Sequence, residues 1–398
     1  MPFSSRIPGF YRNTVDERRA RLRHLGALTD EGCLSLQGPG LSIDIADAMI
    51  ENVVGTLALP TAVAVNFTIN GMERLIPMTI EEPSVVAAAS HMAKLASECG
   101  GFFAETDEPI MIGQLQLAPV SDVEACVRSL AAALPELEAL GNSVHPRLIA
   151  RGGGIRGFEI RPLVYEEPGH SKISMVILHV LVDCRDAMGA NLVNTLVEFI
   201  APRVEQITGE TAGLRILSNL ADRRLSRARV EIPVVALNPT EGLEVAEQIV
   251  AAWQFAWVDP YRAATHNKGA MNGIDALAVA TGNDWRAIEA GVHAWCCRDG
   301  QYRPVSRWSI AERDGAPSLV GTLEAPLPFS TVGERIQMHP TVRTNLSMLG
   351  SPDSRELASV AAAVGLAQNL GALKALATEG IQAGHMRMHA RLSEKKTR

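Results

Sequence analysis

The chain has 398 residues, enough for two or three domains with substantial cores. Its net charge of −7, 20% charged and 47% apolar content describe a globular protein, and its basic tract is the terminal Lys395-Lys396-Thr397-Arg398, which argues against a nucleic-acid partner. No uncharged apolar run reaches the ~18 residues of a membrane span, the polar start reads as neither signal peptide nor anchor, and six cysteines without a CxxC pair read as reduced thiols, so the expected location is cytoplasmic.

In chain order, residues 12–30 predict a helix ending near Gly26 and a short second helix. Residues 43–54 predict a helix carrying Glu51 and Asn52 and stopped by Gly55. Alternation over 63–69, then Asn70-Gly71, then 74–80, predicts a hairpin. Pro83 is expected at the first position of a helix that runs through 85–95 to Gly100-Gly101.

A separate module follows. Residues 110–120 read as a strand, 121–140 as a helix opened by Ser121, 158–164 and 174–183 as strands about a turn at Glu166-Glu167-Pro168-Gly169, 186–208 as a helix and 213–217 as a strand. That order, β-α-β-β-α-β, is the ferredoxin-like split motif, and it sets boundaries near 109 and 220. Beyond it, 229–234 predicts a strand, 241–257 a helix capped by Thr240, 284–295 a helix starting at Asp284, and 355–376 an Ala-rich helix whose Gly365 and Gly371 admit close neighbours. The predicted class is α+β, with a large α/β domain (1–109 and 220–378) interrupted by a small ferredoxin-like domain (110–219). No GxGxxG follows a βαβ strand, so a Rossmann fold is excluded.

Among residues able to carry chemistry, Lys268 stands out, set between polar residues and glycines in DPYRAATHNKGAMNGID (259–275). Such a lysine is expected to be buried and paired; it suits oxyanion stabilisation or covalent carbonyl chemistry as well as it suits a core ion pair. Glu82, directly before Pro83, and Asp284 each read first as helix-capping carboxylates. Asp186-Ala187-Met188-Gly189-Ala190-Asn191 lies where a strand meets a helix, where Gly189 would let the backbone approach a pyrophosphate. His385 and His389 share a helical face, but the glutamate of a zinc-protease pattern is missing and no metal is expected.

These stretches, with ENVVGTLALP (51–60), EEPSVVAAAS (81–90), VDCRDAMGAN (182–191), RILSNLADRRL (215–225), ATGNDWRAIEAG (280–291) and LAQNLGALKALATEGIQAGHM (366–386), resemble 3-hydroxy-3-methylglutaryl-CoA (HMG-CoA) reductases of the bacterial and archaeal class II branch. The resemblance runs over nearly the whole chain. It implies interconversion of HMG-CoA with mevalonate and coenzyme A, by two hydride transfers through mevaldehyde, with NAD or NADP as cofactor. It implies that Lys268 polarises the carbonyl, Glu82 supplies a proton to the aldehyde, Asp284 links the two, and His385 protonates the thiolate. Ser84, Arg262 and Asn272 match positions around the acyl group, with Glu51 and Asn52 near the coenzyme A portion. Asp186, Met188, Gly189, Ala190 and Asn191 match dinucleotide contacts, and Asn219 lies near the nicotinamide. His145 falls where NAD-specific members carry an aspartate for the ribose, which leaves NADP open.

The resemblance also implies a homodimer sharing its active sites, associating further in some members, and a C-terminal flap. Residues 379–398, with His385, would be a remnant of that flap, and family members usually continue further past the histidine. Two rival readings follow: a non-catalytic homologue that binds coenzyme A ligands without its flap, and a lysine Schiff-base lyase.

Overall fold

A computed structural model describes residues 4–38, 40–313 and 315–378; the expected flap remnant, with His385, lies outside these. The chain forms two compact units, one comprising residues 107–225 and the other the stretches up to Thr106 and from Ser226 onward. The sequence boundaries near 109 and 220 differ from these divisions by a few residues.

The larger unit begins with α1 (Val15–His24), closed at its start by a reciprocal Thr14–Glu17 capping box, then α2 (Asp30–Gln37) and α3 (Ile43–Met49). Glu51 and Asn52 therefore lie beyond α3, not on it. Ile50, the C-cap, is already extended, and Asn52 beyond it takes a left-handed φ of 58°. Strands β1 (Thr61–Ile69) and β2 (Met72–Thr79) form the expected hairpin, with Asn70 and Gly71 both at positive φ, as a two-residue turn requires. Helix α4 (Val85–Ser97) starts after Pro83: the N-cap is Ser84, at φ 73°, so neither Pro83 nor Glu82 belongs to the helix. Strand β3 is Phe103–Thr106.

The smaller unit consists of β4 (Ile110–Leu117), α5 (Val123–Asn142), the single turn α6 (Pro146–Ala150), β5 (Gly154–Tyr165), β6 (Ile173–Asp183), α7 (Ala190–Thr208) and β7 (Ala212–Ser218). Its antiparallel sheet has the order β5-β6-β4-β7, the split βαββαβ arrangement expected. Its core joins the inner sheet face (Met111, Leu115, Val180, Val182) to α7 (Val193, Val197, Ile200). Helix α7 starts at Ala190, not Asp186, because Gly189 at φ 107° occupies its N-cap.

The larger unit resumes with β8 (Leu225–Pro233), longer than expected, α8 (Val234–Leu237) and α9 (Gly242–Val258). Thr240 does not cap α9: it donates to Asn238 Oδ1 (3.1 Å), and Glu241 is the cap residue. Then come α10 (Pro260–Ala280), α11 (Trp285–Trp295), the hairpin β9 (Ser306–Arg313) and β10 (Ala316–Pro326), α12 (Glu334–Met338), α13 (Pro340–Met348) and α14 (Ser354–Ala377). Strands β3, β8, β10 and β9 form one sheet in that order. Helix α14 is the unit's central element, with Leu357 to Leu370 almost entirely buried. Among the described residues it alone is long and apolar enough to cross a membrane, yet 67% of the qualifying window is buried in this core. Glycines bring its neighbours close: a Cβ at Gly273 would stand 2.9 Å from Gln368 Cβ, and one at Gly371 would stand 3.2 Å from Ala88 Cβ.

Candidate active site

Helix α10 carries the central residues. Asp259 caps it by accepting from Tyr261 N (3.2 Å), and Pro260 fits the first turn, where no N–H is needed. Midway, His266 and Asn267 are buried. Asn267 ties its amide to the lead-in to β9, donating to Arg303 O (3.0 Å) and accepting from Val305 N (2.8 Å). The next residue, Lys268, is thereby turned outward. It is paired, as expected, but not buried: its side chain is 58% exposed, and Nζ donates to Glu82 Oε2 at 2.5 Å. One turn on, Asn272 Nδ2 approaches Glu82 Oε1 at 3.4 Å.

Glu82 reaches this pair from the β2–α4 turn. Because Ser84 holds the cap position, the Glu82 carboxylate is released from capping and meets Lys268 instead. Ser84 is a non-glycine residue in the left-handed region, a costly conformation of the kind that gathers at functional sites. Glu82 and Ser84 line a cavity of about 1240 Å³, whose wall also carries Arg18, Ser90, His91 and Lys94.

Arg262 is half-buried at the start of α10, burial lowers its pKa, and among the described residues it has no hydrogen-bond or ion-pair partner. Further along the helix, burial and the contact with Glu289 push the Asp275 carboxyl above the usual carboxylate range.

Asp284 caps α11, accepting from Ala287 N at 3.2 Å. About 18 Å of helix axis, at 1.5 Å per residue, separates Lys268 from Ala280 at the end of α10. Among the described residues no hydrogen bond or ion pair joins Asp284 to Lys268 or Glu82. Glu51 and Asn52 are exposed, as are Val54 and Leu57 after them.

In the smaller unit, Asp186, Ala187 and Met188 form the turn that Gly189 closes before α7. The first turn of α7, including Ala190 and Asn191, has no side-chain cap and no acidic residue, so its N–H groups are open to an anion. His145 begins α6 with its Nε2 3.1 Å from Leu192 O, beside that first turn. Asn219 follows β7, with its carbonyl accepting from Ala221 N. These residues fit a dinucleotide: a close backbone approach at Gly189, an uncapped helix start and no carboxylate in the first turn.

Sequence reasoning missed two supports. Arg224, given no role from the sequence, is 1% exposed and donates to Ala187 O at 3.0 Å, bracing the turn. Its pKa falls to about 10 on burial, with Cys184, Asp183 and Asp186 close enough to offset part of that shift. The second support is the buried pair His266-Asn267, whose signal is two adjacent polar residues on a helix that is otherwise Ala- and Gly-rich.

A family profile described as hydroxymethylglutaryl-coenzyme A reductase matches residues 14–390. The 3-hydroxy-3-methylglutaryl-coenzyme A reductase of Archaeoglobus fulgidus is 47% identical over 388 residues, covering 98% of this chain and 86% of that one. A probable reductase of the same name from Borreliella burgdorferi is 33% identical, covering 86% and 76%. The class II reductase from Streptococcus pneumoniae, bound to NADPH in open conformations, superposes with a TM-score of 0.89 at 40% identity, covering 93% and 99%. With full-length sequence similarity joined to the same fold, the chain belongs to the HMG-CoA reductase family, in its class II branch.

Proposed function

We propose that the chain carries out its family's reaction, interconverting HMG-CoA with mevalonate and coenzyme A, at a centre formed by Lys268, Glu82 and Asn272. The observation that carries this reading is the Lys268–Glu82 ion pair at 2.5 Å, joined by Asn272. Reducing a thioester to an alcohol requires a cation for the oxygen that gains charge at each step and a proton for the aldehyde stage. Lys268 is that cation and Glu82 the proton holder beside it. An ammonium engaged with a carboxylate is the arrangement of an oxyanion binder, not of the free amine that a Schiff-base lyase needs. The nicotinamide, when bound, supplies the hydride of each step. Arg262, whose guanidinium has no partner among the described residues, takes the acyl carboxylate together with Ser84, and the cavity with Arg18 and Lys94 on its wall receives the anionic coenzyme A arm, to whose binding Glu51 and Asn52 contribute. His385, outside the described residues, protonates the thiolate.

Asp186, Met188, Gly189, Ala190 and Asn191 hold the dinucleotide, with Asn219 toward its nicotinamide. His145 leaves room for a 2′-phosphate that an aspartate would repel. Replacing His145 with Asp should move preference toward NADH by about tenfold or more; parallel titrations with NADH and NADPH read this out, and an unchanged ratio would remove His145 from cofactor choice.

The active unit is a homodimer. That Asp284 caps α11 beyond the end of α10, with no bond to Lys268 or Glu82 among the described residues, supports a site completed by a second copy, and exposed Val54 and Leu57 supply apolar surface for it. Mixing two inactive variants, Lys268→Ala and Asp284→Ala, after subunit exchange should restore about a quarter of wild-type activity, since half of the dimers would hold one intact site of two. Absence of recovery in demonstrably exchanged subunits would place Asp284 and Lys268 in the same chain's site. A cytoplasmic location fits six cysteines that are all free.

A further inference from the structure

We propose that His266 is a positioning residue for Arg262: its ring nitrogen Nδ1, unpartnered in this structure, accepts an N–H from the guanidinium when substrate binds and sets its angle toward the substrate's carboxylate. The inference rests on the reading of Arg262 as the acyl carboxylate's partner.

The ring's protonation pattern follows from its neighbours. Ser306 Oγ donates to Asn369 Oδ1 at 2.8 Å, an oxygen that also accepts from Trp308 Nε1 at 2.8 Å. The serine's only proton is thus committed. His266 Nε2, 2.7 Å from Ser306 Oγ, must therefore be the donor of that contact. The other nitrogen, Nδ1, is left a bare acceptor. It is buried, and no described residue donates to it. Asn369 closes the ring of contacts by donating from Nδ2 to His266 O at 3.3 Å, so the histidine cannot swing away.

A buried acceptor without a donor is costly, and its persistence calls for a reason. One turn toward the N-terminus stands a donor that also lacks a partner among the described residues, Arg262. Side chains at i and i+4 share a helix face and lean toward the N-terminus, which tilts the ring of His266 over the turn carrying Arg262. The two groups sense each other: burial depresses His266 to about 3, with the positive charge of Arg262 adding to the effect. The imidazole is therefore neutral at any working pH, and its Nδ1 lone pair is always available. An arginine offers five N–H groups, so one given to His266 leaves a two-pronged face for a carboxylate.

The test separates the two nitrogens in the full-length enzyme. His266→Gln keeps a donor near Nε2 for Ser306 and loses the Nδ1 acceptor; His266→Asn does the reverse. The Gln variant is expected to raise KM for HMG-CoA about tenfold, leave KM for the nicotinamide cofactor and kcat within about twofold, and show no added effect in an Arg262→Met background. The Asn variant is expected to restore KM for HMG-CoA, although it gives up the Ser306 contact. If Arg262→Met alone leaves KM for HMG-CoA unchanged, the reading of Arg262 fails and the positioning role falls with it. If Arg262→Met raises that KM while a folded Gln variant does not, or if the Gln variant shifts both KM values and Tm without recovery in the Asn variant, His266 is only structural and the proposal is overturned.

Discussion

Replacing Lys268 with Ala is expected to lower turnover by about 10²–10³-fold or more in each half-reaction, HMG-CoA reduction and mevaldehyde reduction alike. Both steps build negative charge on the same oxygen, and Lys268 is the cation proposed to meet it. The loss should not come from unfolding. The side chain is 58% exposed, it ends an ion pair whose stabilising value is screened by solvent, and alanine is the best helix former for the middle of α10. Circular dichroism and Tm should therefore stay close to wild type. Glu82→Gln offers the contrast, since it keeps the shape and the contact with Asn272 but carries no transferable proton. It should depress mevaldehyde reduction by about 10²–10⁴-fold. Substantial mevaldehyde reduction by the Lys268 variant would refute the assigned role, because no other cation is proposed at that oxygen.

Where the sequence was legible, a local rule and the tertiary structure agreed. Asn70-Gly71 can take two positive φ values, and the hairpin is there. Asp284 has a cap residue's side chain at a helix start, and it caps. In the smaller unit, alternation on the strands and periodicity on α5 and α7 give the split βαββαβ order without help from resemblance. The failures have the opposite cause. Nothing in 259–280 reads as an uninterrupted helix, because Gly269 and Gly273 weaken its propensity. The close approach of α14, which leaves no room for a Cβ at Gly273, overrides propensity there. The helix predicted over 43–54 to carry Glu51 and Asn52 stops at Met49, short of the Gly55 expected to end it, since Ile50 is extended and Asn52 is left-handed. The lysine expected to be buried is exposed because its buried neighbours, His266 and Asn267, fill the inner face of the helix. Their spacing decides which way Lys268 points. Roles in catalysis were legible only through the resemblance: periodicity distinguishes neither Glu82 from a cap nor Arg224 from a surface charge.

The turn proposed to hold the dinucleotide offers the second large effect, at Gly189. Its φ of 107° costs an L-residue about 1–2 kcal/mol, and a Cβ there would lie 2.5 Å from Cys184 Sγ and 3.3 Å from Met111 Cγ. Both neighbours are buried, at 1% and 0% exposure, so neither can retreat. Relieving the overlap adds about 1–3 kcal/mol of packing strain. The turn cannot yield freely either, because the buried Arg224 holds Ala187 O. In Gly189→Ala the first turn of α7 must therefore shift, taking its open N–H groups out of line with the pyrophosphate proposed to bind there. KM for the nicotinamide cofactor is expected to rise about tenfold or more while KM for HMG-CoA moves less than about twofold. Gly209 makes the matched control: it also has positive φ, 72°, at the other end of the same helix, and nothing lies within 4 Å of its missing Cβ. Gly209→Ala should lower Tm through backbone strain alone and leave both KM values in place. If the two variants lose stability equally and neither changes cofactor KM, the strain at Gly189 serves only the fold and the dinucleotide lies elsewhere. If cofactor KM rises in Gly189→Ala alone, the uncapped start of α7 is where the pyrophosphate binds, and the left-handed glycine is what lets the backbone reach it.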